Sequence, residues 1–179
     1  MEKESPDKTS SQGVEALFQD LDAKIDAVFR HQMLMAVYAS TPRDYGTGSY
    51  VNEIEAHSIS FIARRPGLTA TELCRLTYRT KGTISTLLSH LEQKGLLTQQ
   101  INPENRRERI LSLTDKGREL YEKHSLYDRK CTMDYLLEAA RNCTPEEING
   151  FFKLLRFRSD YFEKVLEEET EKYRKARKK

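Results

Sequence analysis

Apolar residues recur at three- and four-residue steps through Val14, Leu17, Leu21, Ile25, Val28 and Met35, with Phe18 and Phe29 widening the stripe. The spacing predicts a long amphipathic helix over about Val14–Ala39. The pattern breaks at Ser40-Thr41-Pro42 and passes through Tyr45-Gly46-Thr47-Gly48-Ser49, which reads as a loop. Ile54, Ile59, Phe61 and Ile62 predict a second helix over Asn52–Arg64, ended by Pro66-Gly67. Thr69-Ala70-Thr71-Glu72 is a capping box, in which a threonine hydroxyl and a glutamate satisfy orphan amides at a helix start. The helix it opens is short and buries Leu73 and Leu76.

Thr80 can cap a fourth helix, in which Ile84, Leu87, Leu88 and Leu91 fall at i, i+3, i+4 and i+7. Its other face carries Gly82, Ser85, Thr86, Ser89 and Gln93, small and polar, with Lys81 at the amino-terminal end. Lys94-Gly95 stops this helix, and two strand-like runs follow, Leu96–Ile101 and Arg109–Leu113, around a turn at Asn102-Pro103-Glu104-Asn105. Thr114 opens a long helix to about Arg141, interrupted at Asn142-Cys143-Thr144. A second capping box, Thr144-Pro145-Glu146-Glu147, begins a last helix with Ile148, Phe151, Phe152, Leu155, Phe162, Val165 and Leu166 as its apolar set. The cationic end, Lys172–Lys179, reads as disordered.

The fold class expected is mainly α with a small β wing: a winged helix-turn-helix domain plus a helical dimerisation lobe. The layout follows as a disordered tail over 1–12, a dimerisation helix and loop over 13–50, the winged domain over 51–114, dimerisation helices over 115–172 and a basic tail over 173–179. Two apolar helical stripes and the aromatics Phe151, Phe152, Phe157, Tyr161 and Phe162 exceed what one small winged domain can cover, so burial against a second copy is expected.

Composition sharpens this picture in one place. The net charge is only +2, yet Arg64–Arg109 holds nine Lys/Arg against four Asp/Glu. The basic character coincides with the helix-hairpin segment, where a polyanion is expected. No apolar run is long enough to span a bilayer, and the first ten residues lack the apolar core of a secretory signal, so a cytoplasmic location is expected and no membrane partner. Cys74, Cys131 and Cys143 have spacings that suit neither a zinc ribbon nor a redox pair and read as reduced thiols, with an oxidant-sensing thiol as the alternative. No nucleophile elbow, phosphate loop or HExxH stands in the chain, which therefore reads as a non-enzyme without a cofactor.

Three helices followed by a hairpin are the order of a winged helix-turn-helix. The apolar stripe holds the fourth helix on the core and frees its polar face for a major groove. Candidate DNA-binding residues are Arg79 just before that helix, Thr80, Lys81, Gly82, Thr83, Ser85, Thr86, Ser89 and His90 on it, and Arg106 and Arg107 at the hairpin tip. Lys81 and Thr83 stand where peptide amides and the helix dipole favour a phosphate. The arginine pair has the reach for phosphates or a narrow minor groove.

Pro66-Gly67-Leu68-Thr69 with Glu72-Leu73, Thr80–Ser85 with Leu91–Leu96, Asn102–Arg107 and Leu113-Thr114-Asp115-Lys116-Gly117 resemble successive signature segments of the MarR family. The resemblance is close over residues 50 to 124. It implies a two-fold homodimer with interleaved first, fifth and sixth helices, double-stranded DNA as partner, Thr80 to His90 as the recognition helix and Arg107 as a minor-groove residue. It also implies a ligand-responsive repressor of transcription on a pseudo-palindromic operator. Where the family commonly has aspartates in the wing, this chain has Asn102 and Asn105, so the acidic brace of the wing arginines is weakened.

A small-molecule effector is implied as well. Tyr38, Tyr45, Tyr50 and His57 lie where the pocket walls would be, or simply pack the helix junction. Zinc is an alternative effector, since zinc-responsive members use histidines and carboxylates at positions matched by His57 and His124, with Asp128 one turn further on and His31 able to complete a set. No metal site is assigned on that basis. The rival from another class is a winged-helix module whose basic face binds an acidic protein.

Overall fold

The computed structural model describes residues 15–177. The expected tail over 1–12, Val14 and the last two lysines lie outside the described residues. The element order is α1 (Leu21–Ser40), β1 (Arg43–Asp44), β2 (Tyr50–Val51), α2 (Glu53–Arg64), α3 (Ala70–Thr77), α4 (Lys81–Gln93), β3 (Leu97–Ile101), β4 (Arg109–Leu113), α5 (Asp115–Ala139) and α6 (Pro145–Ala176). It is the expected class, mostly helical with a small antiparallel wing. The chain divides into two compact units, Met1–Ser125 and Leu126–Lys179.

Within the first unit, four helix starts and stops follow from local chemistry. Asn52 caps α2 by accepting the Glu55 N–H at 2.9 Å while the Glu55 carboxylate takes the Asn52 N–H at 3.0 Å. Thr69 and Glu72 do the same for α3, at 3.2 and 2.8 Å. Thr80 caps α4 through the Thr83 N–H at 3.2 Å. The end of α4 is a Schellman turn: Gly95, at φ 71°, donates to Glu92 O, and Leu96 donates to Leu91 O, each at 2.9 Å.

The strands β3 and β4 pair antiparallel from Leu97↔Leu113 to Ile101↔Arg109. A bridge between Thr69 and Ile110, and the bond from Leu111 N to Leu68 O at 2.9 Å, fasten the hairpin to the segment that enters α3. Ile59, Leu73, Ile84, Leu88, Leu91, Leu96, Leu97, Leu111 and Leu120 are fully buried around this junction. Apolar burial of this kind stabilises by roughly 1.5–3 kcal/mol per large aliphatic side chain.

Two expectations need correction. The helix drawn over Val14–Ala39 is broken: residues 18–20 form a turn, and Asp20 at φ 52° is the left-handed N-cap of α1. A short polar side chain tolerates that conformation better than the apolar residues that set the periodicity. The expected loop over 45–49 is present, as the tip of a short hairpin of β1 with β2, where the Asp44 carboxylate accepts the amides of Gly46, Thr47 and Gly48 at 2.9 to 3.0 Å. The last helix does not end before the cationic run: α6 reaches Ala176. Lys172 pairs with Glu169 at 2.6 Å and Lys175 with Glu171 at 3.5 Å, and cations at a helix C-terminus also suit its dipole.

In the second unit, α6 has no buried residue, and Leu154, Phe157, Tyr161 and Leu166 on it are all more than half exposed. On α1 in the first unit, likewise without a buried residue, Leu17 just before it and Phe29, Leu34 and Val37 within it stand open.

The start of α5 is clamped on the end of α4. Thr114 donates its hydroxyl to Gly95 O at 2.7 Å and its N–H to Leu96 O at 3.2 Å, and Gly117 sits so close that a Cβ there would lie 1.9 Å from Leu96 O. A backbone carbonyl cannot swing aside as a flexible side chain can. Gly117→Ala should therefore cost about 1–3 kcal/mol or more of unfolding free energy, read by urea denaturation. Wild-type stability in that variant would show that the close approach is not fixed.

Candidate nucleic-acid interface

The site is built on α4. Ile84, Leu87, Leu88 and Leu91 are buried, which turns the rest of the helix outward. Thr80, Lys81, Gly82, Thr83, Ser85, Thr86, Ser89 and His90 are all exposed, as is Arg79 in the turn before it. The first turn holds no acid, and Thr80 and Thr83 share a hydroxyl hydrogen bond of 2.9 Å that keeps both at the helix start. Small residues on this face let a helix backbone come close to base edges.

The wing stands beside it. Arg106 and Arg107 are exposed at the turn between β3 and β4. Here the two asparagines do backbone work: Asn102 Oδ1 accepts the Glu104 N–H at 3.0 Å and Asn105 Oδ1 the Arg107 N–H at 3.2 Å. Main-chain bonds from Asn102 N to Glu108 O and from Glu108 N to Asn105 O, at 3.0 and 2.9 Å, close the turn. The wing is thus braced by Asx turns where an acid would brace it by charge.

Helix and wing meet over a cleft of about 270 Å³ whose lining includes Cys74, Lys81, Ser85, Gln99, Arg107 and Arg109. Lys81 and Arg107, distant in sequence, therefore face one space. Gln99 and Arg109 were not among the residues expected from sequence. Their strand alternation could have indicated them, since both lie on the half of the hairpin that turns toward α4. Cys74 is half-buried and Cys131 and Cys143 are exposed, all as free thiols.

The candidate effector residues are only partly brought together. Tyr45 is buried and meets the His124 ring edge-on at 4.9 Å, and His57 meets the same ring at 5.0 Å. Ser60 Oγ is 3.4 Å from His124 Nδ1, and Glu53 lies 3.6 Å from His57. Tyr38 instead lies under the Arg43 guanidinium, 3.6 Å from its ring centre, and Tyr50 is 65% exposed on β2. Asp128 falls in the second unit.

Sequence reasoning missed Asn52 and Glu55. The Asn-x-x-Glu spacing is a capping-box signal that was legible. The contact of Glu55 with Lys94, at 2.9 and 3.0 Å, joins residues 39 apart and had no local signal.

Helices α3 and α4, joined by a tight turn and backed by the hairpin, define a winged helix-turn-helix. Residues 51–108, the winged segment of the chain, match the model of the MarR family. The HTH-type transcriptional regulator PetP of Rhodobacter capsulatus is 32% identical over 121 residues, which cover 65% of this chain and 64% of that relative. FabT of Streptococcus pneumoniae, solved in complex with DNA, superposes with a TM-score of 0.60 at 24% identity over 83% of this chain and 99% of that one. ZitR of Lactococcus lactis, a zinc-responsive MarR family member, superposes with a TM-score of 0.60 at 17% identity over 79% and 99%. At these identities the two structures establish the fold. No helix among the described residues is long and apolar enough to cross a membrane.

Glu72, which closes the box that starts α3, has its carboxyl held below the ordinary value of 4.5, chiefly by the Thr69 N–H and then by the Thr69 hydroxyl. A lowered folded-state value contributes stability above the unfolded-state value that is lost as pH falls through the folded one. Glu72→Gln should lower stability at neutral pH and match the wild type only once the pH has fallen through the lowered folded-state value and the carboxyl is protonated. Denaturant melts at several pH values read this; a gap that persists in acid contradicts it.

Proposed function

We propose that the protein is a sequence-specific transcriptional regulator, a repressor, that binds a pseudo-palindromic operator in double-stranded DNA as a homodimer. The observation that carries the reading is the exposed, acid-free start of α4 sharing one cleft with the wing arginine: Lys81 and Arg107 line the same space. In this reading Thr80 to His90 enter the major groove and Arg106 and Arg107 reach the flanking backbone or minor groove. The family match of the winged segment and the regulator PetP support it, as does FabT, a fold neighbour seen on DNA.

The open apolar faces of α1 and α6 support the homodimer, because monomers seldom leave such surfaces in water. Two copies would place their recognition helices about one helical turn of DNA, roughly 34 Å, apart. The work is binding rather than catalysis, and its place is the cytoplasm. A small-molecule effector acting near Tyr45 and His57 would release the operator. A zinc effector is the second reading, favoured by the meeting of the His57 and His124 rings and by the zinc-responsive neighbour ZitR.

The test begins with selection of bound duplexes from random fragments, followed by titration at fixed salt. Lys81→Ala and Arg107→Ala should each weaken binding to the selected duplex by roughly five- to a hundredfold, about 1–3 kcal/mol, while sedimentation still shows a dimer. Unchanged affinity counts against this surface, and retention of every duplex alike favours an acidic protein partner. Zinc that leaves operator affinity unaltered ends the second reading.

A further inference from the structure

The carboxylate of Glu55 is buried, the residue only 6% exposed, and fully engaged. One oxygen takes the Asn52 N–H at 3.0 Å, and Lys94 Nζ stands 2.9 and 3.0 Å from the two oxygens. Lys94 is the C-cap of α4. Its own carbonyl accepts Lys116 Nζ at 3.1 Å, and the next carbonyl, of Gly95, accepts the Thr114 hydroxyl at 2.7 Å. The C-terminal end of α4 is therefore tied by charged and polar groups to α2 and α5. The N-terminal end presents the exposed residues.

Burial of Ile84, Leu87, Leu88 and Leu91 decides which face of α4 turns inward, but apolar attraction is non-directional and tolerates small slides and rotations. An ion pair with one buried partner adds little stability over an apolar pair of the same size; what it demands is a narrow geometry, and register is the best-attested use of such pairs. Reading base edges needs donors placed to within a few tenths of an ångström. We propose that Glu55 and Lys94 are positioning residues for DNA recognition: their ion pair sets the tilt and axial position of α4. The proposal rests on the DNA-binding reading above.

The sign of the effect separates this role from simple electrostatics. Glu55 is an acid on a domain that meets a polyanion, so as a bystander its neutralisation would leave DNA affinity unchanged or raise it. As a positioning residue, its neutralisation lowers affinity. Lys94, whose side chain is 34% exposed, would as a mere phosphate contact lose affinity for all duplexes equally.

The experiment compares the full chain with Glu55→Gln, Lys94→Met, the double variant and Lys94→Arg, on the selected duplex and on a scrambled one, with thermal melts alongside. Glu55→Gln keeps an acceptor for the Asn52 cap. Each of Glu55→Gln and Lys94→Met is expected to lose roughly tenfold on the selected duplex and under about twofold on the scrambled one, the double variant to lose no more than the worse single, and Lys94→Arg to recover to within about threefold. Tighter or unchanged binding by Glu55→Gln, or equal losses on both duplexes, overturns the role while the DNA-binding reading stands. Absence of any preferred duplex for the wild type overturns both. Amide hydrogen exchange without DNA gives an independent readout: Lys94→Met should speed exchange in the last turn of α4 about tenfold more than in α3, and uniform acceleration overturns the proposal.

Discussion

The arrangement depends on one packing interaction, the burial of Ile84, Leu87, Leu88 and Leu91 against the core of the first unit. Four aliphatic side chains at helical spacing supply several kcal/mol by area. Their narrowness matters as much as their number: a stripe of this width leaves more than half of the helix circumference in water. The polar face is exposed because the opposite face is not. Leu73 from α3, Leu97 and Leu111 from the wing and Leu120 from α5 complete the same core, so the wing and the helix share one foundation. That is how Lys81 and Arg107 come to line one cleft.

Polar contacts refine what apolar burial fixes coarsely. Capping boxes at Asn52, Thr69 and Thr144 and the Schellman turn at Gly95 place helix ends to within a residue. The Asx turns at Asn102 and Asn105 shape the wing without a charge, which leaves Arg106 and Arg107 solvated for an outside partner. Outside the winged core the balance reverses. Neither α1 nor α6 buries a residue, and their open leucines and aromatics are a cost that the proposed association with a second copy would remove.

Much of this was legible in the chain because its signals are local. The i, i+3, i+4, i+7 stripe of α4, the Thr-x-x-Glu and Thr-Pro-Glu-Glu starts, and the glycine at 95 each act within a turn or two. The exposed positions of α4 then follow by subtraction. What was not legible is either non-local or depends on a single backbone choice. The Glu55–Lys94 pair joins two helices through tertiary packing, and Gly117 is required by the carbonyl of Leu96, far back in the sequence. The break at residues 18–20 hides inside a continuous apolar period, since periodicity reports faces and says nothing of one residue at positive φ. The extension of α6 to Ala176 escaped for a related reason: a charge run reads as a tail unless its i, i+3 and i, i+4 partners are paired, as Glu169 and Glu171 are with Lys172 and Lys175.

The central claim is that the outward face of α4 reads base edges while the adjoining wing reaches the flanking backbone and minor groove. Base-methylation interference on a duplex recovered by selection tests it most directly. The account predicts interference at major-groove purine positions in two windows about one helical turn apart, each flanked by a minor-groove signal that disappears with Arg107→Ala. Interference confined to minor-groove positions, or binding indifferent to which bases are modified, would contradict it.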